Sequence, residues 1–326
     1  MKPAFSVIFL TTLIGAAQGL FLALFSAQSY ALFNLLPVQN SQSFHTAGAL
    51  LVLALSALGL LASFFHLGRP ERAWRSAAMW RTSWLSREVI VLPAFMGMVF
   101  LYGVAHWIGW KPTVATLPYG IVIDATLVLG ILATVLAFAL FVCTAMIYAC
   151  LPFLREWHSP LTVINYILLG GASGFTLAAA FATRSAPELV RFYAGWALVL
   201  TLLAWVSRSA SLLRNTRLKP KSTLQTAIGI KHPRIVQKSA GFLGGSFNTR
   251  EFFHGKSPLM LRSVKWFFLA AVFVLPAMLL SLWLWEPSPQ RLALAFLVQY
   301  LGLLAERWFF FAQANHPQNL YYQAVS

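Results

Sequence analysis

The sequence predicts an all-α polytopic membrane protein, a helical bundle with eight transmembrane helices. Hydrophobic residues make up 59% of the 326 residues, charged residues make up only 10%, and the mean hydropathy is +0.71. A soluble globular domain carries about 25% charged residues, so a water-soluble core could not absorb this chain. The apolar residues also come in blocks that match the roughly 20 residues a helix needs to cross a bilayer.

Eight apolar blocks can be placed along the chain, and each predicts one membrane crossing. The first follows Lys2 and is longer than the hydrophobic region of a signal peptide, which has about 7–15 residues, so we interpret it as the first membrane helix. The fourth is long enough to tilt or to project beyond the bilayer. The blocks cover residues 5–33, 46–65, 89–109, 119–152, 161–183, 190–207, 266–285 and 292–311.

Glycine and proline positions inside the blocks predict details of helix packing. Gly15 and Gly19, and likewise Gly170 and Gly174, have the small-xxx-small spacing that favours close contact between membrane helices. Pro93 lies inside the third block and Pro276 inside the seventh, where kinks are expected and neighbouring helices can tolerate them.

The basic residues are distributed unevenly between the two sides of the predicted bundle. With eight crossings, one side holds 19 of the 24 Lys and Arg residues, and the opposite side holds four. The positive-inside rule predicts that the basic side, with both termini, faces the cytoplasm. The net charge of +16 is therefore explained by membrane orientation, and nucleic acid is not an expected partner. Twelve of the basic residues fall in 208–265, which we predict to be an extramembrane loop within a single integral membrane domain, 1–326.

The stretch between the second and third blocks is the strongest candidate for chemistry. It reads HLGRPERAWRSAAMWRTSWLSRE, begins at His66 and ends at Glu88. Because this connection returns to its own side, both groups are expected at the same depth near one surface. An imidazole and a carboxylate placed there are suited to accepting protons from a ligand. Glu306 and Arg307 end the last block on the same side and are expected to pair with other helices rather than with each other.

A structural interpretation of the same residues stays open. Trp74, Trp80 and Trp84 with their neighbouring arginines form an ordinary interfacial belt. His66 can act as a cation at a helix C-terminus, and Glu88 as an anion at a helix N-terminus.

The sequence offers few ligands for a metal cofactor. Cys143 and Cys150 lie about 10 Å apart along one predicted helix, and the chain has no CxxC pair, so neither an iron–sulfur cluster nor a structural zinc site is expected. A haem between His45 and His106 is conceivable but would lie close to the aqueous boundary. Asp124 is expected well inside the fourth block, and its role stays open.

Three separated stretches resemble one protein family. HLGRPERAWR (66–75) with RTSWLSRE (81–88), AIGIKHPRIVQKSAGFLGGSFNTREFFHG (227–255) and ERWFFFAQANHPQNLYY (306–322) resemble the membrane-anchor subunit of the bacterial anaerobic dimethyl sulfoxide reductase family. The eight apolar blocks also fit that family.

The resemblance implies a membrane-anchor subunit in the bacterial inner membrane. Such a subunit oxidises menaquinol during anaerobic respiration and passes electrons to an iron–sulfur subunit, which is bound to a molybdopterin catalytic subunit. The family carries no haem in the anchor. Its quinol-site histidine corresponds to His66, and its functional glutamate corresponds to Glu88. Partner docking or support of the site would then fall to Arg69, Arg72, Trp84, Arg87, Asn248, Arg250, Glu306 and Arg307.

The sequence leaves two other functions and one conflict open. A secondary transporter would place charges near mid-membrane, often within inverted repeats. A purely structural anchor would have no quinone chemistry. In the family that these stretches resemble, a twin-arginine export signal is common on the catalytic partner and would place the partners outside, whereas the charge count places the docking side inside.

Overall fold

The all-α class and the eight predicted spans are confirmed. The computed structural model describes residues 1–116, 118, 121–219, 222–238 and 251–321, and within these ranges eight helical segments are long and apolar enough to cross a membrane. The helices are α1 (Phe5–Leu32), α2 (Ala47–Phe64), α3 (Trp84–Trp107), α4 (Ala125–Ala149), α5 (Pro160–Ser185), α6 (Val190–Thr216), α7 (Leu224–Ile228), α8 (Pro258–Leu269), α9 (Leu275–Trp285) and α10 (Pro289–Ala312). A π-helical turn, Ala270–Val274, joins α8 and α9 into one span, and another, Ser41–Thr46, precedes α2.

The centre of the bundle is a close contact between α1 and α5, the two most deeply buried spans. The backbones meet at Gly19, Gly170 and Gly174. A Cβ atom on Gly174 would collide with the backbone of Gly19, so glycine is required for this approach. The predicted role of the two glycine pairs in helix contact is confirmed here.

The fourth predicted block is wrong at its start. Thr113–Thr116 (β1) and Val122–Asp124 (β2) form a two-stranded antiparallel hairpin, and α4 begins only at Ala125. The β-branched residues before Asp124 favour a strand. The Asp124 carboxylate accepts a hydrogen bond from the Leu127 N–H at 2.9 Å and caps the helix. Asp124 therefore lies at the end of the span and not well inside it.

The loop predicted at 208–265 is shorter than the sequence suggests. Helix α6 continues to Thr216, and the next span begins at Pro258, so the connection covers 217–257. Arg208 consequently lies inside α6.

Hydrogen bonds between chain segments show which segments share one end of the bundle. The amino group of Met1 donates to the Ala314 carbonyl at 2.8 Å, and the Arg214 guanidinium donates to the Arg155 carbonyl at 3.0 Å. We call this the basic end, comprising residues 1–4, 65–83, 150–159, 217–219, 222–238, 251–257 and 313–321. Because the helices alternate in direction, the segments 33–46, 108–116, 121–124, 186–189 and 286–288 form the far end.

Candidate functional site

Glu88 lies near the start of α3, and its carboxyl group faces the inside of the bundle. Ser83 caps this helix by accepting a hydrogen bond from the Ser86 N–H at 3.3 Å. Only 7% of Glu88 is exposed, and its Oε1 accepts a hydrogen bond from Thr144 Oγ1 on α4 at 2.5 Å. A carboxyl group inside a membrane bundle is costly, so this position is a candidate for function.

A small cavity adjoins Glu88 between α1, α4, α5 and α10. Its volume is about 20 Å³. This is room for about one ordered water, whereas sites for small organic ligands typically measure about 300–1,000 Å³. The cavity can therefore hold water beside Glu88 but not a quinone ring. Its polar lining consists of Thr11, Thr12, Gln18, Glu88, Thr144, Tyr166, Ser173 and Arg307.

Arg307 belongs to a buried cluster of charges next to this cavity. Arg208 Nε on α6 lies 2.7 Å from Glu306 Oε1, and Arg307 Nη1 lies 3.6 Å from Glu306 Oε2. The Arg307 guanidinium also lies 3.6 Å from the centre of the Tyr166 ring, over its face. One carboxylate between two guanidiniums leaves a net positive charge in the bundle, which favours anionic or electron-rich groups in the adjacent cavity.

The buried position of Arg208 was not expected from the sequence, because a charged residue at the end of an apolar block was assigned to the following loop. Only 1% of Arg208 is exposed. The residues after it, Ser209 to Leu213, are small or apolar and could have indicated that the helix continues. Glu306 pairs with another helix as expected, yet it also lies close to its neighbour Arg307, which was not expected.

His66 lies on the surface, two residues beyond the end of α2. Partial burial lowers the pKa of His66 from its ordinary value, which favours the neutral imidazole. His66 is not among the residues that line the cavity beside Glu88. The structure thus places one candidate group at the surface and the other inside the bundle, and their joint role stays a prediction.

The segment between His66 and Glu88 presents arginines in two different ways. Arg87 donates hydrogen bonds to the carbonyls of Trp80 and Arg81, at 2.9 and 2.8 Å, and its guanidinium lies 4.2 Å from the Trp84 ring centre. Arg69 and Arg72 are exposed. Arg87 and Trp84 therefore support the local fold, while Arg69 and Arg72 lie where a partner can reach them.

Part of the predicted docking surface, Asn248 and Arg250, lies outside the described residues. The chain that follows them is held against both termini. The Lys2 N–H donates to the Glu251 carbonyl at 2.9 Å, and the Asn319 amide donates to the Phe252 carbonyl at 3.1 Å.

The two far-end histidines do not have the arrangement of haem ligands. The rings of His45 and His106 stack with their centres 4.4 Å apart. Axial ligands approach an iron through ring nitrogens from opposite sides, and the stacked rings leave no space for an iron between them.

Comparison with known proteins places the chain in a family. Residues 1–310 match the family model described as DMSO reductase anchor subunit (DmsC). The chain is also 57% identical over 326 residues to a sulfite dehydrogenase subunit of Allochromatium vinosum, and the match covers 100% of both chains. This chain is therefore a membrane-anchor subunit of the dimethyl sulfoxide reductase anchor family, within the class of molybdopterin oxidoreductase complexes.

Proposed function

We propose that this chain is the membrane anchor of a sulfite-oxidising complex in the bacterial inner membrane, and that it passes electrons from an iron–sulfur subunit to a membrane quinone. The full-length identity of 57% to a sulfite dehydrogenase subunit supports sulfite as the electron source. The molybdopterin and iron–sulfur groups would belong to partner subunits.

The observation that carries the quinone chemistry is the buried Glu88 with its water-sized cavity at the basic end. Sulfite oxidation to sulfate uses one water and releases two electrons and two protons at the molybdopterin subunit. A quinone becomes a quinol by taking up two electrons and two protons at the membrane. Glu88, through a water in the cavity, supplies one proton to the reduced quinone, is reprotonated from the basic end and then supplies the second proton.

His66 would bind the quinone at the surface of the basic end, at the opposite end of the 66–88 segment from Glu88. A neutral imidazole both donates and accepts hydrogen bonds, so it can bind a quinone oxygen without the cost of desolvating a charge. The cavity beside Glu88 is too small for the ring, so the quinone binds outside it, and Glu88 acts over a water. Exposed Arg69 and Arg72 would attract an acidic surface of the iron–sulfur subunit. The charge asymmetry favours the cytoplasm as the docking side.

A second candidate function uses the same site in the reverse direction. The name of the family model, DMSO reductase anchor subunit, favours oxidation of menaquinol, with Glu88 and His66 accepting the two protons and the electrons leaving for a sulfoxide-reducing subunit. Redox assays of the purified complex with sulfite and with dimethyl sulfoxide separate the two directions.

The test of the quinone role is the variant Glu88→Gln in the purified complex. Removing a proton-transfer group typically costs a factor of about 100 or more, so we expect about a 100-fold loss of sulfite-dependent reduction of a short-chain quinone. Reduction of ferricyanide, which takes electrons from the partner subunits directly, should be unchanged.

Glu71→Gln is the matched control, because Glu71 is an exposed carboxylate in the same segment. It should leave both activities intact. Normal quinone reduction by Glu88→Gln would contradict the proposed proton transfer, and the chain would then be a purely structural anchor.

A further inference from the structure

Five polar side chains form a continuous hydrogen-bonded chain at the far end. His45 Nδ1 lies 3.0 Å from the Tyr102 hydroxyl, which donates to Gln28 Oε1 at 2.8 Å. Gln28 Nε2 donates to Thr126 Oγ1 at 2.7 Å, and Thr126 Oγ1 donates to Asp124 Oδ1 at 2.7 Å. The chain joins α1, α3, the start of α4 and the turn before α2.

The direction of these hydrogen bonds fixes the tautomer of His45. Because Tyr102 gives its proton to Gln28, its oxygen accepts from His45 Nδ1–H. In a neutral imidazole the other nitrogen, Nε2, is then a hydrogen-bond acceptor. The hydrogen-bonded chain ends on the Asp124 carboxylate, which only accepts hydrogen bonds and so fixes the direction in which the other groups donate.

His106 stacks on His45 and has unused hydrogen-bonding capacity. Only 1% of His106 is exposed, and neither of its ring nitrogens has a hydrogen-bond partner in the described part of the chain. A buried polar group without a partner costs about 1–3 kcal/mol, so such a group indicates a missing ligand or water.

Both histidines line a pocket at the far end. The pocket has a volume of about 380 Å³, within the range of small-ligand sites. Leu32, Val38, Val122 and Leu127 contribute its apolar wall. Its polar wall includes Asn34, Gln39, His45, His106, Lys111 and Asp124.

We propose that this pocket binds the head group of a membrane quinone or quinol at a second site, separate from the Glu88 site. A quinone ring is flat, neutral and carries two oxygens that accept hydrogen bonds as carbonyls or donate them as hydroxyls. His45 Nε2 provides an acceptor. The two ring nitrogens of His106, one donor and one acceptor, are enclosed in this structure and become available to a bound ring when the His106 side chain rotates towards the pocket. The apolar wall suits an isoprenoid tail that continues into the bilayer.

The charges of the pocket favour a neutral ring over an anionic phospholipid head group. Lys111 is the cation and Asp124 the anion among its lining residues, and the two form no ion pair within 4.0 Å. A phosphate group near Asp124 would be repelled by the carboxylate, and one lysine is a weak phosphate site on its own.

The proposed step is binding and not electron transfer. The core between the two polar regions is apolar and contains Phe21, Leu24 and Phe95. The second site would therefore hold quinone from the leaflet opposite the partner subunits. The identification of the ligand as a quinone rests on the proposed function. The inference that a ligand binds here rests on the pocket and on the unpartnered ring nitrogens of His106.

The test uses the full chain in lipid nanodiscs and a short-chain naphthoquinone that carries a photoreactive azide. After illumination, labelled peptides are identified by mass spectrometry. We expect labelling of peptides from 34–46 and 104–127, and about tenfold less of it in His106→Phe, which keeps the ring stacking but removes both nitrogens. Gln28→Leu, which breaks the hydrogen-bonded chain and keeps His106, should also reduce this labelling. Gln42→Leu is the control on the same end, because Gln42 does not line the pocket.

Two results would overturn the proposal. The first is equal far-end labelling in His106→Phe and in the unchanged chain. The second is labelling that added phosphatidylethanolamine displaces and unlabelled quinone does not, which would identify a lipid site. Failure of the proposed function would show differently, as unchanged quinone reduction in Glu88→Gln, whatever the result at the far end.

Discussion

Buried polar groups are stabilised differently at the two ends of the bundle, by ion pairs at the basic end and by neutral hydrogen bonds at the far end. At the basic end, full charges are buried and held together by ion pairs, as in the cluster of Arg208, Glu306 and Arg307, which keeps one net positive charge. At the far end, neutral groups from His45 to Thr126 are linked in one hydrogen-bonded chain that ends on Asp124. Charges in a low-dielectric region act over distance, whereas neutral hydrogen bonds act only at contact. The basic end therefore suits proton movement beside a charged partner, and the far end suits recognition of a neutral ligand.

The largest expected effect comes from breaking the ion pair at the basic end. Glu306→Leu leaves Arg208 buried without its carboxylate, and removing one partner of a buried pair costs about 3–5 kcal/mol. We expect a large loss of stability in thermal unfolding of the detergent-solubilised protein. Glu286→Gln breaks the pair of Glu286 with Arg291 at the surface and should cost less than about 1 kcal/mol. Equal effects of the two variants would show that burial does not distinguish the pairs.

A medium loss of stability is expected from disrupting the contact between α1 and α5, which lies between the two ends of the bundle. Gly174→Ala places a Cβ against the backbone of Gly19, and such overpacking costs about 1–3 kcal/mol. Gly97→Ala on α3 meets nothing within 4 Å and should be neutral or slightly stabilising, since alanine favours helix. The comparison is made by unfolding both variants under the same conditions. A stable Gly174→Ala would mean that α1 and α5 can separate without cost.

The smallest effect is expected from cutting the far-end chain. Tyr102→Phe removes one hydroxyl and leaves Gln28 Oε1 and His45 Nδ1 without this partner, at a cost of about 1–2 kcal/mol. Tyr30→Phe is the control, because Tyr30 is exposed and its ring contact with Phe192 remains. The two free energies of unfolding should differ by about that amount. No difference would indicate that water replaces the hydroxyl.

The sequence predicts the fold well because each membrane helix can be recognised from one continuous stretch of residues. Each span is a run of apolar residues, and the glycine pairs that bring α1 and α5 together are visible as spacing. Asp124 was misplaced because hydropathy alone does not distinguish an apolar strand from a helix. Its position before Ala125 and Thr126, as a helix cap, is a signal that could have corrected this.

The sites depend on contacts between distant parts of the chain, which hydropathy does not reveal. Arg208 meets Glu306 across 98 positions, and Gln28 meets Thr126 across the same separation. His66 and Glu88 were candidates from their positions at the two ends of the charged stretch, and the family resemblance added their assignment to a quinol site. The partner of Glu88, Thr144, could be identified only once α3 and α4 were packed together.

The central claim, that Glu88 exchanges a proton with the quinone, is tested most directly by infrared difference spectroscopy of the purified complex in lipid. The spectrum is recorded as sulfite reduces the complex and its bound quinone, before and after hydrogen–deuterium exchange. We expect a carboxyl C=O change that shifts in deuterium, is present in the unchanged chain and in Glu71→Gln, and is absent from Glu88→Gln. The same carboxyl signal in Glu88→Gln would contradict the claim.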